Sequence, residues 1–278
     1  MVILRDVLPS LLLGEYIRKH QIVRFRFGAK DIIPFKAYYP RPEHCLVFFL
    51  RDLEKISTID NPNSLIRPKC MITGQPTGIV NRHVSPDFWA LQIVFQPSGL
   101  FRLTGIPSFE LTNTFIDAEA VWGKEIRNTH EQMSNSDDVD KAIKVAEVFL
   151  EKLVRNSKRD LLGIDKASRL ILYKNQPISM DKIASESCLS MRQFDRKFNE
   201  RMGVTPKTLD RIVRFGNAFR MKNAQPNLDW LSIALACDYY DYQHLVRDFK
   251  EFTNLTPTGL FETDTKAPER LFGVVEVN

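Results

Sequence analysis

The sequence predicts an α+β multidomain protein, with a β-rich N-terminal part followed by an all-helical C-terminal part. Two observations lead to this prediction. Over residues 21–117, short apolar runs are punctuated by Pro and Gly, which is typical of strands joined by tight turns. Over residues 182–257, one pattern occurs twice, about 50 residues apart, with apolar residues at helical spacing.

Composition sets the broad class of the protein. The chain has 278 residues, enough for two domains, and a formal net charge of +5. The pI near 9.0 suits a nucleic-acid partner but is weak support by itself. Four cysteines without C-x-x-C spacing argue against a zinc site or a disulfide framework, so we expect reduced thiols in a cytoplasm and no cofactor.

The N-terminus carries a short apolar patch at residues 11–13, flanked by the charged residues Asp6 and Glu15. A membrane-spanning helix needs ~20 apolar residues. We therefore expect neither a signal peptide nor a membrane span, and a cytoplasmic location.

The β-rich part shows two kinds of strand. Residues 23–27 alternate apolar and polar side chains, as in a strand with one buried face. Residues 44–50 and 89–95 are nearly continuous apolar runs, which suit strands buried on both faces. Together with the turns, they predict a small sandwich or barrel.

An amphipathic helix is predicted over about residues 137–155, with Asp137 and Asp138 favourably placed at its N-terminus. Its apolar residues recur at spacings of three and four: Val139, Ala142, Ile143, Ala146, Phe149, Leu150 and Leu153. This stripe either packs on the β-rich part or forms a dimer interface, and the sequence leaves both open. The polar residues 155–159 are interpreted as an interdomain linker.

Each copy of the repeat is predicted to form a helix, a tight turn and a second helix, with Ser179 and Ser190 as N-caps in the first copy. The second copy has one extra residue, which falls in the turn. Apolar residues at matching positions form the predicted cores: Ile183, Ala184, Phe194 and Phe198 in the first copy, and Ile233, Ala234, Leu245 and Phe249 in the second.

The outward faces of the second helices are polar. A short polar helix that follows a turn and carries Arg suits insertion into a DNA major groove. Two copies with matching Arg and Phe favour this over ordinary helical hairpins with solvated faces. The residues concerned are Arg192, Asp195 and Arg196 in the first copy, and Tyr242, Gln243 and Arg247 in the second.

Residues 163–262 resemble the DNA-binding domain of the AraC/XylS family of transcription regulators. The resemblance lies in the Ile-Ala opening of each unit, the Arg-x-Phe of each second helix, and the G-V-T-P close at residues 203–206 with its L-T-P echo at 255–257. It implies two helix-turn-helix subdomains joined by a long helix at about residues 207–223. It also implies that both recognition helices enter successive major-groove segments, with the six outward residues reading bases.

The family resemblance extends, less specifically, to the N-terminal part. It implies that residues 1–155 form a cupin-like, ligand-sensing domain and that dimerisation uses helices near its end. In the turns of the two units, the family usually has Gly, whereas Cys188 and Asp238 stand here. Asp tolerates the left-handed conformation of such turns, and Cys is less suited to it.

The groove chemistry can be assigned by residue type. Arg196 and Arg247 are candidates for bidentate bonds to guanine, and Gln243 for adenine. Asp195 either accepts from cytosine or orients a neighbouring arginine. For Arg196, an ion pair with Asp195 or Glu200 is the alternative. Polar residues expected near phosphates or solvent are Lys197, Asn199, Lys207, Arg211, Lys222 and Lys250.

The β-rich part shows no catalytic signature. A metal-binding cupin would need clustered His and Glu, and only Glu43, His44 and His83 are at hand, without an H-x-H pair. We therefore predict no catalytic residues and no metal site. Four aromatic residues either line an effector pocket or fill the core: Phe48, Phe49, Trp89 and Phe95.

The sequence is thus interpreted as a DNA-binding transcription regulator with double-stranded DNA and RNA polymerase as partners. A small-molecule effector, or homodimerisation through the N-terminal domain, would modulate it; activation and repression both stay open. One alternative is a DNA-repair or modifying enzyme with a reactive thiol such as Cys45 or Cys70, and another is a protein-interaction module. The apolar residues of the tail, 263–278, either add a strand or fray.

Overall fold

Two antiparallel sheets form the N-terminal part of the chain. The computed structural model describes residues 1–28, 30–58, 62–173 and 179–274. Within them lie the strands β1 (Val2–Val7), β2 (Ile17–Arg26), β3 (Lys36–Tyr38), β4 (Cys45–Phe49), β5 (Lys55–Ser57), β6 (Leu65–Ile66), β7 (Cys70–Thr73), β8 (Val80–His83), β9 (Asp87–Phe95) and β10 (Phe115–Asp117). The larger sheet has the order β1-β2-β9-β4-β7-β10, and the smaller has the order β3-β8-β5-β6.

The centre of the larger sheet is buried on both faces, as the apolar runs at residues 44–50 and 89–95 predict. In β4, Leu46 and Phe48 join a core that includes the neighbouring helices. Cys45, Val47 and Phe49 alternate with them and lie on the opposite face. Because successive side chains of a strand point to opposite faces, one strand contributes to two cores.

Three helices and one 3₁₀ helix complete the N-terminal part: α1 (Gly99–Thr104), the 3₁₀ helix Ser108–Leu111, α2 (Glu119–Ser134) and α3 (Val139–Asn156). Asp138 caps α3 by accepting hydrogen bonds from the backbone N–H groups of Asp140 and Lys141. The buried stripe of α3 packs into the same core as the sheet, with Phe149 edge-on to Trp122. Of the two alternatives for this stripe, packing within the protomer is the one observed.

The C-terminal part is helical, with the elements α4 (Gly163–Tyr173), α5 (Met180–Glu186), α6 (Met191–Met202), α7 (Pro206–Ala224), α8 (Trp230–Ala236), α9 (Tyr242–Thr253), α10 (Pro257–Asp264) and the 3₁₀ helix Pro268–Phe272. The helix predicted at about 207–223 corresponds to α7. One core lies among α4, α5, α6 and the start of α7, and a second among α7, α8, α9 and α10. The predicted class, a β-rich part followed by a helical part, is confirmed.

The two parts contact each other at several places, of which two bring residues of the N-terminal part against the helical units. Tyr39, from the loop after β3, inserts its ring into the second helical core, with ring centroids 5.7 Å from Phe215 and 4.8 Å from Phe219. At the end of α6, Ser108 Oγ donates to the carbonyl of Arg201 at 2.8 Å, and Thr112 Oγ1 donates to that of Gly203 at 2.7 Å. The N-terminal part therefore holds both helical units.

Among the residues that the structure describes, no helix is long and apolar enough to cross a bilayer. Of the tail residues considered for an added strand, Val275 and Val277 lie outside the described ranges. Phe272 packs instead against the aromatic residues Phe25 and Phe27 of the β-rich part.

Candidate nucleic-acid interface

The outer helix of each repeated unit begins with the same kind of cap. At α6, Ser190 accepts from the N–H of Gln193, and the Gln193 side chain accepts from the N–H of Ser190, which makes a capping box. At α9, Asp241 Oδ1 accepts from the N–H of His244 at 2.6 Å. Each cap contributes about 1 kcal/mol to the stability of its helix start. Local sequence therefore fixes where both outer helices begin.

The two turns share one backbone geometry although neither contains Gly. Cys188 and Asp238 both adopt the left-handed conformation, at φ 55° and 61°. A non-glycine residue there costs roughly 1–2 kcal/mol, which the packing of the flanking helices outweighs. The extra residue of the second turn is Tyr240, which is 88% exposed. The outer helices also end alike, since Gly203 and Asn254 are both left-handed.

The inner faces of both units are buried. The eight predicted core residues are each at most 2% exposed: Ile183, Ala184, Phe194, Phe198, Ile233, Ala234, Leu245 and Phe249. In the first unit, the rings of Phe194 and Phe198 lie 5.6 Å apart. In the second, Phe249 contacts Phe215 of α7 at 4.6 Å between ring centroids. Each outer helix therefore packs on its own core through one face, and its opposite face is exposed to solvent.

The outer faces carry the six residues predicted to read bases. Those exposed to solvent are Arg192, Asp195, Arg196, Gln243 and Arg247. Tyr242 is half-buried and packs against the second core, so only part of its side chain is accessible. Within the described ranges, none of the three arginines forms an ion pair. The pair of Arg196 with Asp195 or Glu200, which the sequence left open, is not formed.

An ion cluster joins α9 to α7. Asp248 is buried and accepts from Arg211 at 2.8 and 3.0 Å and from Arg214 at 3.2 Å. Arg211 also pairs with Glu251, and the hydrogen bonds that its guanidinium donates to Glu251 and Asp248 raise the pKa of Arg211 above its usual value. The cluster fixes the rotation of α9 about its own axis, and so the direction in which Arg247 points.

A second buried ion pair holds the first unit. Arg201, in the last turn of α6, donates to both carboxylate oxygens of Asp165 in α4, at 2.6 and 2.9 Å. Both residues are buried, and the Arg201 guanidinium also lies 4.8 Å from the Phe101 ring centre. Sequence reasoning missed this pair and the Asp248 cluster, because the partners are far apart along the chain and follow no motif.

The residues predicted to meet phosphates differ in their surroundings. Lys207 and Lys250 are exposed, whereas Lys197 and Asn199 are half-buried. Arg211 is engaged with Asp248, and Lys222 donates to the carbonyls of Pro226 and Leu228. These last two side chains therefore have partners within the protein, and contact of the other residues with phosphates stays a prediction.

A cavity of about 290 Å³ lies between the two sheets. The larger sheet contributes Cys45, Val47 and Met71 to its wall, and the smaller sheet contributes Ile56 and Val80. The C-terminal turn of α9 and the residue after it also line the cavity, through Glu251, Phe252 and Asn254. The cavity therefore touches the second repeated unit directly.

The four aromatic residues predicted for an effector pocket do not line this cavity. Phe48, Trp89 and Phe95 belong to the core between the larger sheet and the helices. Phe49 lies on the cavity side of β4, but it packs against Phe88 and not into the cavity. The sequence marked the correct strands, but alternation along them placed Cys45 and Val47 at the cavity.

Charged residues stand in the cavity wall. The fully buried Glu54 pairs with Arg82, at 2.5 Å, and with Arg67, so two cations share one carboxylate. On another side, Glu43 accepts from Arg18 at 3.3 Å and from the hydroxyl of Tyr38. Burial, followed by the charge of Glu43, raises the pKa of Tyr38 well above its usual value. The cavity thus combines an apolar floor with fixed polar groups. In the part of the chain that is described, no cluster of three or more His, Cys, Asp or Glu could hold a metal ion.

Residues 183–263 match the family model described as a helix-turn-helix domain. The C-terminal region is an AraC-type helix-turn-helix domain. The resemblance drawn from the sequence is thereby confirmed for this region. The matched residues run from α5 to α10 and contain both turns and both outer helices.

Solved structures of similar layout include ToxT of Vibrio cholerae O395, at 12% identity and TM-score 0.45, covering 91% of this chain and 99% of that chain. ToxT of V. cholerae strain SCE256 bound to an unsaturated fatty acid gives 11% identity, TM-score 0.47, and coverage of 92% and 96%. The AraC-like transcriptional activator CuxR gives 11% identity, TM-score 0.28, and coverage of 75% and 84%. Similarity at this level carries no conclusion about function. A comparison with curated proteins gives no match.

Proposed function

We propose that this protein is a sequence-specific DNA-binding transcription regulator that reads its site with α6 and α9. One observation carries the proposal. Arg196 and Arg247 occupy equivalent positions of the two outer helices in a helix-turn-helix domain, and both are exposed. Neither has an ion-pair partner in the described part of the chain, so both guanidinium groups are available to bases.

Base reading is assigned by chemistry. Arg196 and Arg247 each donate two hydrogen bonds to guanine O6 and N7, and Gln243 pairs with adenine N6 and N7. Asp195 accepts from cytosine N4 or orients Arg192 beside it. The exposed Lys207 and Lys250 contact phosphates, which raises affinity without selecting sequence.

The spacing of the two readers follows from α7. This helix carries the core residues of both units, and the ion cluster at Asp248 holds α9 against it. The two outer helices therefore move as one body. They read an asymmetric site across two successive major-groove segments, about 10 bp apart.

The cavity between the sheets is proposed as the effector site. Its floor is apolar, whereas Arg67, Arg82 and Glu43 offer charge at the wall, which fits a small molecule with an apolar body and a polar or acidic end. Because Glu251 and Phe252 line the cavity, a bound molecule would contact α9 as well as the sheets. A ligand that contacts the protein differently in two conformations shifts the equilibrium between them, and in this way it would change the affinity for DNA.

The proposal divides the chain into an effector and oligomerisation domain, residues 1–155, a DNA-binding domain, residues 163–262, and a tail, residues 263–278. It includes RNA polymerase and a second copy of the chain as partners, and the cytoplasm as the place of action. The first two rest on the family resemblance, and the third on the cysteine pattern of the sequence.

One alternative, a repair enzyme with a reactive thiol, is disfavoured by burial. Cys45 and Cys70 are both buried, and burial raises the pKa of Cys70 to about 12 and that of Cys45 well above its usual value. The nucleophile would have to be the thiolate, which is scarce at neutral pH under these conditions.

The test is selection of bound duplexes from a random pool by the full-length protein, followed by sequencing. We expect one asymmetric motif with two informative blocks about 10 bp apart. A protein-interaction module would enrich no motif and would show no salt-dependent shift of duplex DNA. Either of those results would overturn the proposal.

The effector site is tested separately through Gly78, which lines the cavity and has nothing within 4 Å of an added Cβ. Gly78→Phe should fill the cavity without disturbing the fold. Ligands found by a thermal-shift screen of small organic acids should lose their effect on this variant. A ligand that stabilises wild type and Gly78→Phe equally binds elsewhere, which would refute the cavity assignment.

A further inference from the structure

The 3₁₀ helix Pro268–Phe272, named here the C-terminal segment, lies beyond the helix-turn-helix match, which ends at residue 263. The segment is packed against the rest of the protein. Pro268 and Glu269 are buried, and the Glu269 carboxylate forms an ion pair with Lys36 of β3. A charged side chain that is 1% exposed needs a partner, so this pair fixes one side of the segment to the β-rich part.

Phe272 gives a second attachment to the same part. Its ring stacks on Phe25 at 6.3 Å with an interplanar angle of 9°, and it lies 5.2 Å from Phe27. Both partners belong to the aromatic core on one face of the larger sheet. The segment is thus attached to the β-rich part by one ion pair and one aromatic contact. The ion pair fixes its orientation, and the ring buries apolar surface.

The opposite side of the segment is bound to the helical domain. Arg270 donates to Asp264 Oδ2 at 2.5 Å and to Asn223 Oδ1 at 3.0 Å. Asp264 is the last residue of α10, and Asn223 is in the last turn of α7. Leu271, between the two kinds of anchor, is 58% exposed and contacts neither core. Neighbouring residues of this one turn therefore bind to the β-rich part and to the helical domain.

The ion pair lies one strand away from Arg82, a residue of the cavity wall. Lys36 lies directly opposite Arg82 in the pairing of β3 with β8. Two cations facing each other across strands repel unless each has a carboxylate nearby. Arg82 has Glu54, and Lys36 has Glu269 of the C-terminal segment. Arg82 also lines the cavity, so the contact between the C-terminal segment and β3 lies next to a charged residue of the cavity wall.

We propose that the C-terminal segment is a releasable strap, which holds the helix-turn-helix domain against the β-rich part through Glu269 and Phe272 on one side and Arg270 on the other. The strap acts together with Tyr39, which plugs the second helical core. When the strap is released, the interface around Tyr39 opens and α9 is freed from the end of the cavity. This inference concerns the interface between the two parts and requires no DNA.

The experiment is hydroxyl-radical footprinting of the full-length protein, because side-chain oxidation reports exposure directly. The reporters are Tyr39 and Phe219, both buried at the interface. We expect Glu269→Gln, Phe272→Ala and Arg270→Ala each to increase oxidation of both reporters several-fold. Glu269→Gln preserves shape and removes only the charge, so its effect cannot come from a misfolded segment.

Leu271→Ala is the matched control, since it truncates an exposed side chain of the same turn, and it should leave both reporters at wild-type exposure. If the three variants increase oxidation only within residues 264–274, the segment merely caps α10 and the strap is refuted. A far-UV spectrum of each variant at wild-type amplitude ensures that both parts are folded. The duplex selection described above does not depend on this result, so failure of the strap leaves the proposed function standing.

Discussion

Arg211 of α7 donates from Nε and Nη2 to the same carboxylate oxygen of Asp248 in α9, at 3.0 and 2.8 Å. The carboxylate is buried, and its other oxygen accepts from Arg214, one turn further along α7. One acidic side chain thus ties two turns of the linker helix to the middle of the second outer helix. Small rotations of α9 would break these hydrogen bonds, so the cluster sets the orientation of the face that carries Arg247.

Replacement of Asp248 should therefore destabilise the second unit. For Asp248→Ala we expect a loss of about 2–3 kcal/mol in the free energy of unfolding, since charged hydrogen bonds vanish and two arginines lose their partner. Urea denaturation measures the change. Asp195→Ala, an exposed carboxylate on α6, is the control and should stay within about 0.5 kcal/mol of wild type. Equal effects of the two variants would show that the buried ion cluster contributes no more to the free energy of unfolding than an exposed carboxylate does.

Arg196→Ala and Arg247→Ala should relax DNA specificity in different blocks of the selected motif. Each loses a bidentate contact, at a cost of about 1–3 kcal/mol for the cognate site. Binding to single-base variants of the site reveals which position each arginine reads.

Lys250→Ala provides the contrast for this pair of variants. It should weaken binding to all sequences alike and lower the slope of log K against log salt by about 1. Loss of affinity without any change in base preference for either arginine variant would contradict the readout assigned to them.

Cys188→Gly should stabilise the protein, because Gly adopts the left-handed conformation of this turn without the steric cost of a Cβ. We expect a gain of about 1 kcal/mol, reduced somewhat by the greater freedom of the unfolded chain. Cys188→Ala keeps the Cβ and should give no such gain. Thermal unfolding of the two variants side by side decides the matter, and an equal Tm would mean that the turn is unstrained.

Stability should fall in mild acid because of His44. Burial lowers the pKa of His44 to about 4, from 6.5, although Nε2 donates to the carbonyl of Met202 at 3.2 Å. Between pH 6.5 and about 4, the unfolded chain takes up a proton here and the folded chain does not. Unfolding is therefore favoured as pH falls, by up to about 3 kcal/mol at 1.4 kcal/mol per pH unit.

The His44→Gln variant isolates this contribution, since a Gln amide can donate to the same carbonyl but does not titrate. Its stability, followed by urea denaturation across the same pH window, should decline less steeply than that of wild type. Burial also lowers the pKa of His20 and His130, so part of the acid sensitivity should remain. Identical pH profiles of stability for the variant and the wild type would show that His44 does not contribute to the acid sensitivity.

The helical half followed closely from the sequence, and the reason is local. Caps such as Ser190 and the i, i+4 pair of Phe194 and Phe198 act within one or two helical turns. The spacing of these residues along the chain therefore largely determines how they are arranged in three dimensions. The left-handed turn at Asp238 was expected from the family resemblance, because the family usually has Gly at this position.

The β-rich half and its cavity did not follow in the same detail. Strands β4 and β9 are apolar on both faces, so alternation gives no signal for which residues meet the cavity. Phe48 was therefore as plausible a lining residue as Val47. Contacts such as Arg201 with Asp165 and Tyr39 with Phe219 join distant residues by single side chains, and no spacing rule encodes them.

The position of the Tyr39 ring limits which N-terminal parts can be joined to this helical domain. Because it fills part of the core formed around Phe215 and Phe219, the second helical unit is completed by a residue from outside its own domain. Exchanging the β-rich half for that of another protein would leave a hole against α7 unless the incoming loop supplied an aromatic ring at the same place. The two halves are thus joined by a shared core as well as by surface contacts such as Ser108 with Arg201, so neither half can be replaced without a matching change in the other.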